Sequence, residues 1–216
     1  MSAQPQPAAG APPQVLARGP WDLQRVKVNW REDAFEPSPE HARAADAAIE
    51  ELQQRGSPSH DGVAARLAGY TVDDGGIAIE LQPLRWALRL VPEDASLSVA
   101  ALCVTRAADG RWLAGRRAPW VSSWAGRWAL GAGGAVDLGE NPADTLVREL
   151  HEEWAVAPDV VRGEALLQLP HRLVMFVGQA STSRGHHAYS SCSWSGVTDS
   201  SPPSASQAWP TNITSR

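Results

Sequence analysis

Glu149, Glu152 and Glu153 follow Arg148 within little more than one helical turn, and a run of glycines precedes them. On a helix advancing about 100° per residue, these carboxylates fall together, roughly opposite Ala143, Leu146, Val147, Leu150 and Trp154. The apolar stripe would anchor the helix on a sheet, leaving the carboxylates facing outward as a group. Like charges at i,i+4, as in Glu149 and Glu153, cost a few tenths of a kcal/mol. A divalent cation reverses that sign, and hard oxygen ligands suit Mg²⁺. A plain solvated acidic face, with Arg148 paired to Glu152, accounts for the helix equally well. The preceding loop separates the two readings. Gly131, Gly133, Gly134 and Gly139 let the backbone turn tightly and approach a ligand, and Glu140 ends the loop beside the helix N-terminus. A glycine-rich loop running into an acidic helix offers a site for phosphate and metal.

The helix itself is well signalled. Asn141 is an N-cap, Pro142 fits the first helical position and Asp144 puts negative charge in the first turn, so a helix is expected over about residues 142–154. Upstream, residues 97–105 form a continuous apolar run, as in a strand buried on both faces. Asp109-Gly110 makes a turn, and residues 111–117 return as a second strand bearing Arg116 and Arg117. Either arginine could reach a phosphate; surface charge is the competing reading, preferred for Arg116. Trp124, Trp128 and Trp154 invite base stacking, but burial is the commoner fate of tryptophan. His151 and His171 stand alone and read as structural or solvent-facing. Residues 165–177 are a further strand candidate.

Residues 1–19, rich in Pro, Ala and Gln, read as a disordered lead-in. Residues 20–95 read as a small α+β unit. Val26 and Val28 alternate as a strand would. A helix runs between the cap Ser38 and Gly56 on a stripe of Ala45, Ala48, Ile49 and Leu52, and a hairpin turns through residues 73–76. Nothing in this unit resembles a constellation for chemistry. From Ala180 onward Ser and Thr dominate and apolar periodicity disappears, so a domain over residues 96–179 is followed by a disordered or aberrant tail over 180–216.

The chain has 216 residues, 43% apolar and 20% charged, as suits a soluble globular protein. Its net charge of -5 gives no electrostatic reason to expect nucleic acid or an anionic membrane as partner. Cys103 lies in a strand-like run and Cys192 in the Ser-rich tail, which argues against a disulfide framework or a zinc site. The opening residues do not read as a signal peptide, and no apolar stretch approaches the roughly 20 residues of a membrane span. A cytoplasmic location is expected.

Residues 134–156 resemble the Nudix box, G-x5-E-x7-R-E-U-x-E-E-x-G-U with U aliphatic. Gly134, Glu140, Arg148, Glu149, Leu150, Glu152, Glu153 and Val156 match in register, while Ala155 stands in place of a glycine. A looser likeness covers residues 96–178. The resemblance implies a Nudix-type α/β/α sandwich with mixed sheet, preceded by the α+β unit. It implies hydrolysis of a small-molecule nucleoside diphosphate derivative with Mg²⁺ or Mn²⁺. Carried over, Glu149, Glu152, Glu153 and Glu140 would form the metal site. Glu152 and Glu153 would be direct ligands, and Glu140 would bind directly or through water. Glu149 or Glu153 would be the general base, and Arg148 would serve catalysis by orienting a glutamate. Arg117, Gly133 and Gly134 would meet substrate. The N-terminal unit would shape the pocket or build a homodimer.

Two other functions share the fold: an isopentenyl-diphosphate-isomerase-like enzyme, which needs a catalytic cysteine, and a non-catalytic binding or regulatory module, which usually has a damaged box. Family members also supply a strand and a helix after the region of Val177. The Ser-rich stretch in that place is therefore expected to be a frameshifted or otherwise aberrant ending, testable by reading the encoding DNA in its other frames.

Overall fold

The computed structural model describes residues 12–57, 61–91, 96–117, 125–170 and 172–182. The first strand, β1 (Gln14–Asp22), leads through a short 3-10 turn into β2 (Val26–Trp30). Helix α1 (Pro39–Gln54) starts where Ser38 accepts a hydrogen bond from the His41 N–H, and buries Ala45, Ile49 and Leu52. Strands β3 (Val63–Asp73) and β4 (Gly76–Arg85) form the expected hairpin, closed by Gly75 at φ 87°. The second half of the described chain begins with β5 (Val99–Ala107), β6 (Ala114–Arg116), β7 (Trp128–Leu130) and β8 (Ala132–Ala135). Helix α2 (Pro142–Trp154), β9 (Val160–Gln168) and β10 (Val174–Thr182) complete it.

The main sheet has the order β1-β9-β10-β5-β8 and is mixed, with β10 and β5 parallel and the other neighbours antiparallel. A smaller sheet, β2-β4-β3, pairs β2 with β4 in parallel, and β6 and β7 form a separate ribbon. The fold is thus α+β with a mixed sheet, as expected. Val99, Ala101 and Cys103 of β5 are buried, with Leu146 and Leu150 of α2 in the same core. Val26, Leu67, Ile77, Ile79 and Leu81 from the amino-terminal half join that core, while α1 packs with Leu84, Trp86 and Leu88 in a second cluster. No described helix is long and apolar enough to cross a membrane.

Three expectations are corrected. Residues 14–19 are not a lead-in: they lie in β1, which pairs with β9 from Gln14↔Gln168 to Asp22↔Arg162. Ala17 and Trp21 are buried there, and Trp21 stacks on Phe176 with ring centroids 6.2 Å apart. This burial offsets the ordering entropy that the Pro- and Ala-rich composition alone could not. Residues 165–177 are not one strand but parts of two, β9 and β10, joined by a turn in which Arg172 N–H donates to the Leu169 carbonyl. Finally, order persists past Ala180, because β10 runs to Thr182 with Ala180 and Thr182 buried. Residues 183–216, including Cys192, and also Trp124 and His171, lie outside the described residues.

Candidate active site

Helix α2 is positioned at both ends by residues the sequence singled out. Asn141 Oδ1 accepts from the Ala143 N–H at 3.0 Å, and Pro142 opens the first turn. Ala155 closes the helix in the left-handed region at φ 51°, ψ 32°, the conformation that favours glycine. The loop ahead is held from the amino-terminal half. Trp30 Nε1–H donates to the Glu140 carbonyl at 3.0 Å, and Asn141 Nδ2 donates to the Val26 carbonyl at 2.9 Å. Thr145 Oγ donates to Glu140 Oε2 at 2.8 Å. Trp30 and Thr145 are not marked by the sequence, and Val26 reads there only as part of a strand. Thr145 is one turn from Arg148 and could have been noticed; nothing local marks the other two.

The carboxylates do not face outward as one group. Glu149 has no exposed side-chain surface and lies under Gly134, where an added Cβ would fall 2.7 Å from its carboxyl carbon. The helical wheel placed Glu149 away from the apolar stripe correctly but could not show that β8 covers that side. Glu152 is exposed, and Glu153 lies between, accepting from the Gly133 N–H at 3.2 Å. Val147, expected on the packed stripe, is 39% exposed.

Arg148 joins three of the four glutamates. Its Nε donates to Glu140 Oε1 at 2.8 Å, and its Nη1 reaches Glu149 Oε1 at 2.6 Å and Glu152 Oε2 at 3.1 Å. Nη2 donates to Glu140 Oε2 and to the Ala135 carbonyl, each at 3.1 Å. Arg148 therefore orients glutamates, and this hub sits on the carboxylate side of α2. Glu140 is held below the usual carboxyl range: burial opposes this, but hydrogen bonds from Arg148, Thr145 and the Asp137 N–H, with the charge of Arg148, outweigh it. Glu149 behaves oppositely. Burial pushes its carboxyl up to about 7, with Arg148 compensating only in part. Its second oxygen, Oε2, is buried and has no hydrogen-bond partner.

Gly133 and Gly134 lie in β8 beside Leu102 and Ala101 of β5, where a Cβ on Gly133 would press on the β5 backbone. Arg117 is half-buried, its pKa lowered by burial and partly restored by the charge of Glu153. Arg116 is exposed and donates to the Gly126 carbonyl. Trp128 is 73% exposed, against the expectation of burial, and Trp154 is partly buried against the core. Cys103 is fully buried and its thiol is pushed up to about 12 by desolvation, which disqualifies it as a nucleophile.

Among the described residues, no three or more His, Cys, Asp or Glu side chains are arranged to hold an ion, since Arg148 occupies the space between them. The donor chemistry nonetheless fits a hard divalent cation. Glu149 presents a buried oxygen with an unmet demand for positive charge, and Glu152 and Glu153 flank it on the next turn.

The model of the NUDIX domain family matches residues 96–209, more than half of the chain and past the boundary expected at residue 179. No curated protein matches. Among solved structures the chain is similar to DR0079 from Deinococcus radiodurans, at 25% identity and a TM-score of 0.36. That likeness covers 41% of this chain and 57% of DR0079.

Proposed function

We propose that this chain, which belongs to the Nudix family and is a hydrolase of the Nudix kind, cleaves a diphosphate linkage in a nucleoside diphosphate derivative with the help of a divalent metal ion. The observation that carries this reading is Glu149. A carboxylate buried under Gly134, with one oxygen unpartnered, is costly unless a cation or a proton meets it. Every acidic position of the box is present, which favours an enzyme over a binding or regulatory module.

Glu152 and Glu153 would hold Mg²⁺ or Mn²⁺ directly, with the Glu149 carboxylate beside them contributing its charge, while Glu140 keeps Arg148 in place. When bound, the ion neutralises diphosphate oxygens and lowers the pKa of a water. Glu149 suits the general base better than Glu153. Its carboxyl sits near 7 and its Oε2 is unengaged, whereas Glu153 already accepts from Gly133. Arg148 fixes the rotamers of Glu149 and Glu152. Arg117 meets the phosphates, and the Gly133–Gly134 backbone lets substrate approach β8. The substrate is a small molecule rather than a nucleic acid, in keeping with the net charge of -5, and the working compartment is the cytoplasm.

Phosphate release from a panel of nucleoside diphosphate derivatives, with Mg²⁺ or with EDTA, tests the reading. Release should need the metal and fall at least about a hundredfold in Glu152→Gln. Equal release in EDTA, or full activity in that variant, would overturn it.

A further inference from the structure

Arg89 stands apart from the acidic helix, in the 3-10 segment Trp86–Leu90 that follows β4. Its Nη1 is buried and has no hydrogen-bond partner. Its guanidinium carbon lies 5.4 Å from the centroid of the Trp86 ring, which holds the group in place without satisfying its N–H donors. Ser98 Oγ is likewise buried and without a partner. Both residues line a narrow cavity that also takes in Ser96 and Arg172. Two guanidiniums and two hydroxyls therefore border one small space, and its lining among the described residues includes no carboxylate. The cavity admits about one water-sized atom.

We propose that Arg89 and Ser98 form an anion-binding pocket that receives one oxygen of a phosphate group, with Arg172 on its rim. A buried donor on a cation with nothing to donate to is among the costliest polar defects in a protein interior, and an oxyanion is the ligand that removes it. Two orphaned donors in one cavity point to a single shared acceptor. Burial, with the charge of Arg117 adding to it, pushes the Arg89 pKa down to about 10, so the group remains cationic at neutral pH. That coupling also sets Arg89 within electrostatic reach of Arg117, which in turn feels Glu153. The phosphate oxygen has two sources, free inorganic phosphate or the phosphate chain of a nucleotide.

The test needs no turnover. The full chain in EDTA is titrated with inorganic phosphate and, separately, with ADP, following melting temperature and heat of binding. Wild type should bind phosphate, and Arg89→Gln and Ser98→Ala should each weaken it, Arg89→Gln by about tenfold or more. Arg89→Lys should keep part of the affinity. In the absence of any anion, Arg89→Gln should melt no lower than wild type, because the substitution removes an unpaired buried charge. A purely structural arginine would instead lower the melting temperature, which counts against the proposal. ADP displacing phosphate, with its own affinity reduced in Arg89→Gln, assigns the oxygen to a nucleotide; phosphate binding that ADP leaves untouched assigns it to the free ion. Absence of phosphate binding in wild type, or equal binding in Arg89→Gln and wild type, would mean that the cavity holds only water and would overturn the inference. Loss of the Nudix reading alone, by contrast, would leave phosphate binding in EDTA unchanged.

Discussion

The Glu149 carboxyl fills the space that a side chain on Gly134 would need. A methyl group at residue 134 would overlap the Glu149 carboxyl, so Gly134→Ala should destabilise the protein by about 1–3 kcal/mol in urea unfolding and reduce Mg²⁺ uptake measured by calorimetry. Glu149 also predicts a dependence on pH. Its folded-state pKa is raised from 4.5 to about 7, so the native state binds more protons than the unfolded chain between those values. Stability is therefore highest at the acidic end of this window and falls as pH rises through it, then levels off. In EDTA the melting temperature of wild type should decline between about pH 4.5 and 7, and that decline should flatten in Glu149→Gln. A carboxylate dominated by its Arg148 ion pair would give the opposite slope. The identity and spacing of these residues were legible in the sequence. Their burial was not, because helical periodicity gives a direction about the helix axis without saying which strand lies there.

At the scale of elements, α2 was the most legible part of the chain. Its start follows from Asn141 and Pro142, both local signals, whereas its end is closed by Ala155, a residue that carries no such signal. Ala155 retains the conformation that a glycine would adopt, so Ala155→Gly should stabilise the protein by up to about 1 kcal/mol in chemical denaturation. Asn141 has a second task that the cap preference does not reveal. Asn141→Asp keeps the acceptor for Ala143 but loses the donor to Val26, and should cost about 1 kcal/mol in the same measurement. The strands were harder to read. Residues 165–177 are apolar on both sides of the turn near Pro170, so no change of period marks where β9 ends and β10 begins. A strand such as β1, interrupted by Gly19-Pro20 and following a Pro- and Ala-rich stretch, is stable because β9, far along the chain, pairs with it and Ala17 and Trp21 are buried.

Across the whole molecule, the division into an amino-terminal unit and a domain over residues 96–179 understates how they are joined. β1 belongs to the main sheet, and one core takes side chains from both halves. Trp21 is 2% exposed against Phe176, and Trp21→Ala should cost about 3–5 kcal/mol with a single cooperative unfolding transition retained. Two separate transitions in wild type would show instead that the halves fold independently.

The hydrogen bond that the Val26 carbonyl accepts from Asn141, and the one that Trp30 donates to Glu140, at the pivot between loop and helix, have a practical corollary. A chimera keeping residues 96–182 but borrowing its front half from an unrelated protein would retain every acidic side chain of the motif while losing the two clasps that set their bearing. Engineers seeking to transplant this chemistry would have to move strand β2 along with it.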